Sequence, residues 1–168
     1  MPRFSDLCAK LPPRPIARQL VETYFSEANW YFAVLEKYYF EKLYGSWCAL
    51  SDRSMIDGHG QFTRLPRDLL HFPALLFQVL AVALQFAPPG MPYLQALGVD
   101  GFPRRDCLSY DFSTRGMEIV LLVGREDPTI TTVQNGLMRA LWLKNSSRGR
   151  EAWHVLGDAI RSALVQTI

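Results

Sequence analysis

Residues that carry chemistry are scarce in this chain of 168 residues, which holds three cysteines and three histidines. Cys8, Cys48 and Cys107 are odd in number and far apart, and no pair has CxxC or Cys/His zinc spacing. Such usage excludes a disulfide framework or a zinc site and fits a reducing compartment. Charge is also thin, with 20% charged residues against a typical ~25%. The net charge of +2 comes from scattered Lys and Arg, whereas a nucleic-acid footprint needs them clustered. Gly98 to Gly101 reads Gly-Val-Asp-Gly, without the GxGxxG pattern or the P-loop lysine that would cradle a phosphate. No serine or cysteine sits in a nucleophile elbow. Arg3, Asp6 and Lys10 interrupt the opening residues before Pro12, Pro13 and Pro15, so the continuous apolar core of a signal peptide is missing and secretion is not expected.

What the chain does hold is apolar material, 49% of its residues, at a length that suits one domain able to bury roughly 70% of its unfolded surface. Residues 1–14 read as an irregular lead ending in Leu11-Pro12-Pro13-Arg14-Pro15. From Pro15 to about Glu27 a helix is predicted, with Ala17, Leu20, Val21, Tyr24, Phe25 and Ala28 on one face. Asn29 opens an aromatic segment in which Trp30, Phe32, Val34 and Leu35 precede Phe40, Leu43, Tyr44 and Trp47 at helical spacing, as core packing requires. Ser51 to Arg67 is polar and loop-like around Asp57-Gly58-His59-Gly60. Phe72 to Val99 lacks charge altogether, but Pro73 and the Pro88-Pro89-Gly90 break trim its helix to Ala74–Ala87, short enough for a buried core helix and not a membrane span. A Pro/Gly-rich loop from Pro88 to Arg105 leads to a helix over Cys107 to Val123, weakened by Gly116 and ended by Gly124. Ile119 to Val123 comes nearest to a strand but continues a helical spacing.

The stretch from Asp127 to Ile168 is the most periodic. Asp127 as N-cap and Pro128 at the first position open a helix with Ile130, Val133, Leu137 and Leu141 in one stripe. Trp153, Leu156, Ile160 and Leu164 stripe a second, with Trp153 as its core anchor. The polar run Asn145 to Gly149 allows only a tight connection, so the two form an antiparallel hairpin. Ala152, Ala159 and Ala163 flank the Trp153 stripe, with Gly157 on its other side, while Glu151, His154, Asp158, Arg161 and Ser162 face solvent. The fold class is all-α: antiparallel helix hairpins without a sheet, residues 15–168 forming one domain.

Glu151 and His154 make an E-x-x-H pair, the unit that di-metal carboxylate bundles use for bridging ligands. Such sites need a second copy and further glutamates, which the sequence lacks, so the pair reads as solvated face. His59 has no nucleophile to serve, and His71, just before Pro73, reads as a capping or surface residue. Lys144, Arg148 and Arg150 ring the hairpin turn in the pattern of a contact for phosphate or an acidic partner, yet three charges on a turn are an ordinary solvated edge. The residues by themselves describe a helical domain without a visible active site.

The last stretch resembles the middle homology region of fungal zinc-cluster transcription factors, regulators whose DNA-binding module holds two zinc ions with six cysteines. In that family a helix opening with Ser or Thr and containing Thr-Val-Gln precedes a short turn and then Ala-Trp-x-x-x-Gly-x-Ala-Ile-Arg-x-Ala. The matching residues are Thr132-Val133-Gln134, then Glu151-Ala152-Trp153-His154, Gly157, Ala159-Ile160-Arg161 and Ala163. Leu11-Pro12, Leu20, Tyr24-Phe25, Asn29, Phe32, Val34-Leu35, Phe40 and Tyr44 resemble the family's opening, and Leu75-Leu76-Phe77 its next helix. Ala33 stands where proline is common, Asn135-Gly136 replaces apolar residues, and the six-cysteine cluster is absent. The resemblance implies a nuclear, non-catalytic regulatory domain with no cofactor of its own, zinc belonging to the absent module. DNA would be reached only through that module, outside this chain. Coregulator proteins, a small-molecule effector or a second copy along the Trp153 helix are the implied partners, with Pro88–Arg105 and Asn145–Arg150 as responsive surfaces. The alternatives are a stand-alone small-molecule-binding module, and a small helical metal-dependent enzyme using Glu151, His154 and His59.

Overall fold

A computed structural model describes residues 2–57, 65–124 and 128–165, with backbone alone at 2 and 51–57. The described residues are almost wholly helical and contain no strand. Helices α1 (Pro2–Cys8), α2 (Arg14–Thr23), α3 (Asn29–Phe32) and α4 (Lys37–Asp57) lead to α5 (Arg67–Phe86). After it come α6 (Pro92–Ala96), α7 (Phe102–Val123), α8 (Ile130–Asn145) and α9 (Gly149–Val165).

The uncharged segment is the axis of the fold. Every residue of α5 from His71 to Leu84 is buried, so the helix is apolar on all sides because neighbours cover all of them. It is long and apolar enough to span a bilayer, but 83% of that window is buried inside the protein. Pro73 lies within it and forfeits one backbone hydrogen bond; dense burial on both sides keeps the helix continuous, so α5 begins at Arg67 and not at Ala74.

Helices α7 and α8 cover two of its sides. Gly116 lets α7 run antiparallel to α5 at close range: a Cβ there would lie 2.7 Å from Gln78 Nε2 and 3.0 Å from the Ala74 carbonyl. The expected weak point of that helix is thus its contact point. Between the two, the Gln78 amide donates to the Ser113 carbonyl (2.9 Å) and accepts from its hydroxyl (2.8 Å). One turn away Ser109 donates to the Ala81 carbonyl and accepts from Trp142 of α8, at 2.7 and 2.8 Å. Helix α8 runs parallel to α5, with Thr131 donating to Asp68 (3.0 Å) at one end and Gln85 donating to the Trp142 carbonyl (3.2 Å) and to Ser146 (2.9 Å) at the other.

On a third side, α2 widens at Tyr24–Ala28 into a π-helical turn, where a continuous helix to Glu27 was expected. Tyr24, fully buried, donates to Asn29 Oδ1 (2.9 Å) and contacts Met138 sulfur (3.3 Å). Asn29 also binds both backbone groups of Leu35, at 3.0 and 3.2 Å. That clamp closes the turn after α3, in which Ala33 takes a left-handed conformation with φ of 47°.

Several boundaries depart from the sequence reading. The N-terminal lead is not irregular: residues 2–8 are helical, and Phe4 and Leu7 are buried with the core. Helix α4 continues through residues 51–57, which read as loop, while His59 lies outside the described residues. Helix α7 begins at Phe102, five residues before Cys107, and the preceding loop contains α6. Helix α8 begins after Thr129, whose hydroxyl accepts from the Thr132 amide (3.4 Å) while the Thr132 hydroxyl accepts from the Thr129 amide (3.1 Å). This capping box replaces the Asp127 cap, a residue outside those described.

The hairpin forms with the expected antiparallel sense, but α9 is rotated. It buries Ala152 and Ala159 against α8, and a Cβ at Gly136 would stand 2.9 Å from the Ala159 Cβ. Trp153 is not a core anchor: it is 74% exposed, and Ile160 and Leu164 are also exposed. Close backbone approach requires small residues at the seam, so the alanine flank faces inward and the large stripe outward. Trp142, 3% exposed, is the core tryptophan of the hairpin.

Candidate functional site

The Thr-Val-Gln segment occupies the first turns of α8, and each residue has a separate task. Thr132 completes the capping box, Val133 is buried, and the half-buried Gln134 faces a cavity. Of about 520 Å³, this cavity lies where the starts of α4, α5 and α8 converge. Helix α4 supplies Tyr39, Lys42, Leu43 and Ser46, at the three- and four-residue steps that place side chains on one face. Leu69 and Leu75 of α5 and Ile130 of α8 close the apolar wall. Volume and composition are those of a small-molecule site, mostly apolar with a few polar groups.

Those polar groups divide by whether they are already engaged. Glu36 accepts from the Tyr39 amide (2.9 Å), capping α4, and Asp68 accepts from Thr131 (3.0 Å) in the first turn of α5. Both carboxylates therefore sit at helix N-termini, where the dipole offsets part of their charge. The Lys42 ammonium, the Tyr39 hydroxyl and the Gln134 amide have no hydrogen-bond or ion-pair partner among the described residues.

A second, polar cleft of about 370 Å³ lies at the opposite end of α5. The end of the Pro/Gly-rich segment and the hairpin turn meet there, with Phe102 and Arg105 facing Asn145, Ser146 and Ser147. Arg105 donates to the Ala87 carbonyl (2.8 Å), and its buried Nε has no partner among the described residues. The turn is closed by Ser147 in a left-handed conformation (φ 60°) and an Arg148 amide bond to the Leu143 carbonyl (2.9 Å). Of its basic residues, Arg148 grips Glu151 with two bonds of 2.7 and 2.6 Å, Lys144 lies 5.9 Å from the Phe32 ring centre, and Arg150 is exposed.

The α9 motif residues line neither cavity. Glu151 is held by Arg148, His154 is exposed, and Arg161 pairs with Asp158 while lying over Gly157, where a Cβ would meet its guanidinium at 3.5 Å. No group of three or more His, Cys, Asp or Glu able to hold a metal occurs among the described residues. His71 is 3% exposed within α5, not on the surface, and its Nδ1 lacks a partner among the described residues. Burial, followed by the nearby Arg67, holds its pKa below the ordinary histidine value.

Sequence periodicity missed the polar seam through the core. The half-buried Arg139 of α8 hydrogen-bonds the Ser113 hydroxyl and stacks 4.9 Å from the Trp142 ring centre. Burial and then Arg148 lower its pKa. The cavity was missed as well, although Tyr39, Lys42, Leu43 and Ser46 carry the required spacing.

Fold and cavities together define an all-α domain with an apolar small-molecule-sized cleft. No protein-family model, curated protein or solved structure matches the chain.

Proposed function

We propose that this chain is a non-catalytic regulatory domain of a zinc-cluster transcription regulator, acting in the nucleus on a DNA-binding module outside the chain. The observation that supports this reading is the division of labour within the motif that carries the resemblance. Its threonine completes the capping box of α8, its alanines form the α8–α9 seam, and its glutamine faces the apolar cavity. A ligand filling that cavity touches α4, α5 and α8 at once, and by favouring one packing of these helices it shifts the population of a two-state domain. A stand-alone small-molecule-binding module is the second reading, which the same cavity favours.

The two readings separate in a reporter assay. The chain is inserted between a heterologous DNA-binding module and an activation segment, with protein level monitored by immunoblot. Transcription is expected to change relative to the fusion without the chain, and Ile130→Trp, which narrows the cavity, to shift it again. Unchanged output from a folded, nuclear fusion overturns the regulatory reading and leaves the binding module.

A further inference from the structure

We infer that the cavity between α4, α5 and α8 binds an apolar monocarboxylate, its hydrocarbon part against Leu43, Leu69 and Ile130 and its carboxylate at Lys42. This deepens the regulatory reading by naming the effector's class, but it is measured on the isolated chain, so it can fail while the reporter result stands.

Size sets the first limit. About 520 Å³ falls within the roughly 300–1,000 Å³ of small-molecule sites, too small for a protein element and large for a solvent ion. The wall sets the second, since the exposed Ile130 and half-buried Leu43 stand over the buried Leu35, Phe40, Leu69 and Leu75 and favour hydrocarbon. Charge sets the third. Counted formally, two carboxylates line the cavity against one ammonium, which would call for a cation. Glu36 and Asp68, however, each accept a hydrogen bond, from the Tyr39 amide and the Thr131 hydroxyl, at a helix N-terminus whose dipole offsets part of their charge. Lys42 has no counter-ion among the described residues. It stands one helical turn from Tyr39, whose hydroxyl is a further donor, and the Gln134 amide is the third. An ammonium, a phenol and an amide beside an apolar wall satisfy a carboxylate, whose two oxygens accept several donors. An alcohol would leave the ammonium unmatched, and an amine would repel it.

Decanoate, decanol and decylamine, identical in chain length, test the inference by isothermal titration on the full chain at low salt. Decanoate is expected to bind about tenfold tighter than decanol and decylamine weakest, the span of one charge-assisted contact. Lys42→Ala, an exposed position, should reduce decanoate to the decanol level and leave decanol unchanged. Lys42→Glu should invert the order of decanoate and decylamine. Ile130→Trp, also at an exposed position, should weaken all three, circular dichroism confirming the fold. Equal binding of decanoate and decanol, tighter binding of decylamine by the native chain, or decanoate binding indifferent to both Lys42→Ala and Ile130→Trp overturns it.

Discussion

The glycines show how far a residue's effect depends on what lies opposite it. Gly45 lies within α4, exposed, with open space where a Cβ would go. Gly136 lies within α8, and its missing Cβ is the space that Ala159 uses. Helix propensity alone favours alanine at both by about 1 kcal/mol. Gly45→Ala should gain about 0.5–1 kcal/mol in urea melts, whereas Gly136→Ala should lose about 1–3 kcal/mol, because a contact of 2.9 Å forces the backbones apart. Ala159→Gly placed on Gly136→Ala should recover part of that loss. A Gly136→Ala variant more stable than the native chain would show that α9 does not dock as described. In the sequence Asn135-Gly136 reads as a departure from the family pattern and a weakness; across the seam it is the complement of Ala159.

At the scale of elements, both helices of the final hairpin were legible, along with their antiparallel sense, because apolar periodicity and a short polar turn determine those. The face that α9 turns inward was not. Trp153, Leu156, Ile160 and Leu164 make the larger stripe, and transfer free energy by itself would bury it. Helix α8 offers Gly136 at the contact, and a surface without side chains admits a helix only along its own small flank, Ala152 and Ala159. The cavity was illegible for a related reason: Tyr39, Leu69 and Ile130 come from three distant segments, and their convergence is a property of packing, not of any one period. Docking through the small flank has a measurable consequence. Ala159→Leu should overpack the seam and cost about 1–3 kcal/mol, with amide exchange accelerating in α9 and α8 before α5. Trp153→Ala, at 74% exposure, should change stability by no more than about 0.5 kcal/mol. A loss of about 3–5 kcal/mol for Trp153→Ala, as for a buried tryptophan, would restore the opposite orientation.

For the whole molecule, α5 packs against α2, α4, α7 and α8, so a buried ionisable group within it connects global stability to pH. His71 is that group: 3% exposed, its Nδ1 without a partner among the described residues, with Arg67 and Asp68 of the preceding turn as the nearby charges. Burial and then Arg67 disfavour the imidazolium and Asp68 favours it, with a net pKa below the ordinary value. The unfolded chain takes up the His71 proton as pH falls through about 6.5, while the folded chain resists it. Folding therefore binds fewer protons, and the stability associated with His71 is complete above that pH and declines below it until the folded state also protonates. Urea midpoints should hold steady from about pH 8 to 7 and fall between about pH 6.5 and 5, before most carboxylates titrate. In His71→Gln the midpoint should be lower overall but flat across that window, since a glutamine amide carries no titratable proton. A variant that keeps the native chain's decline would assign the acid sensitivity to groups other than His71.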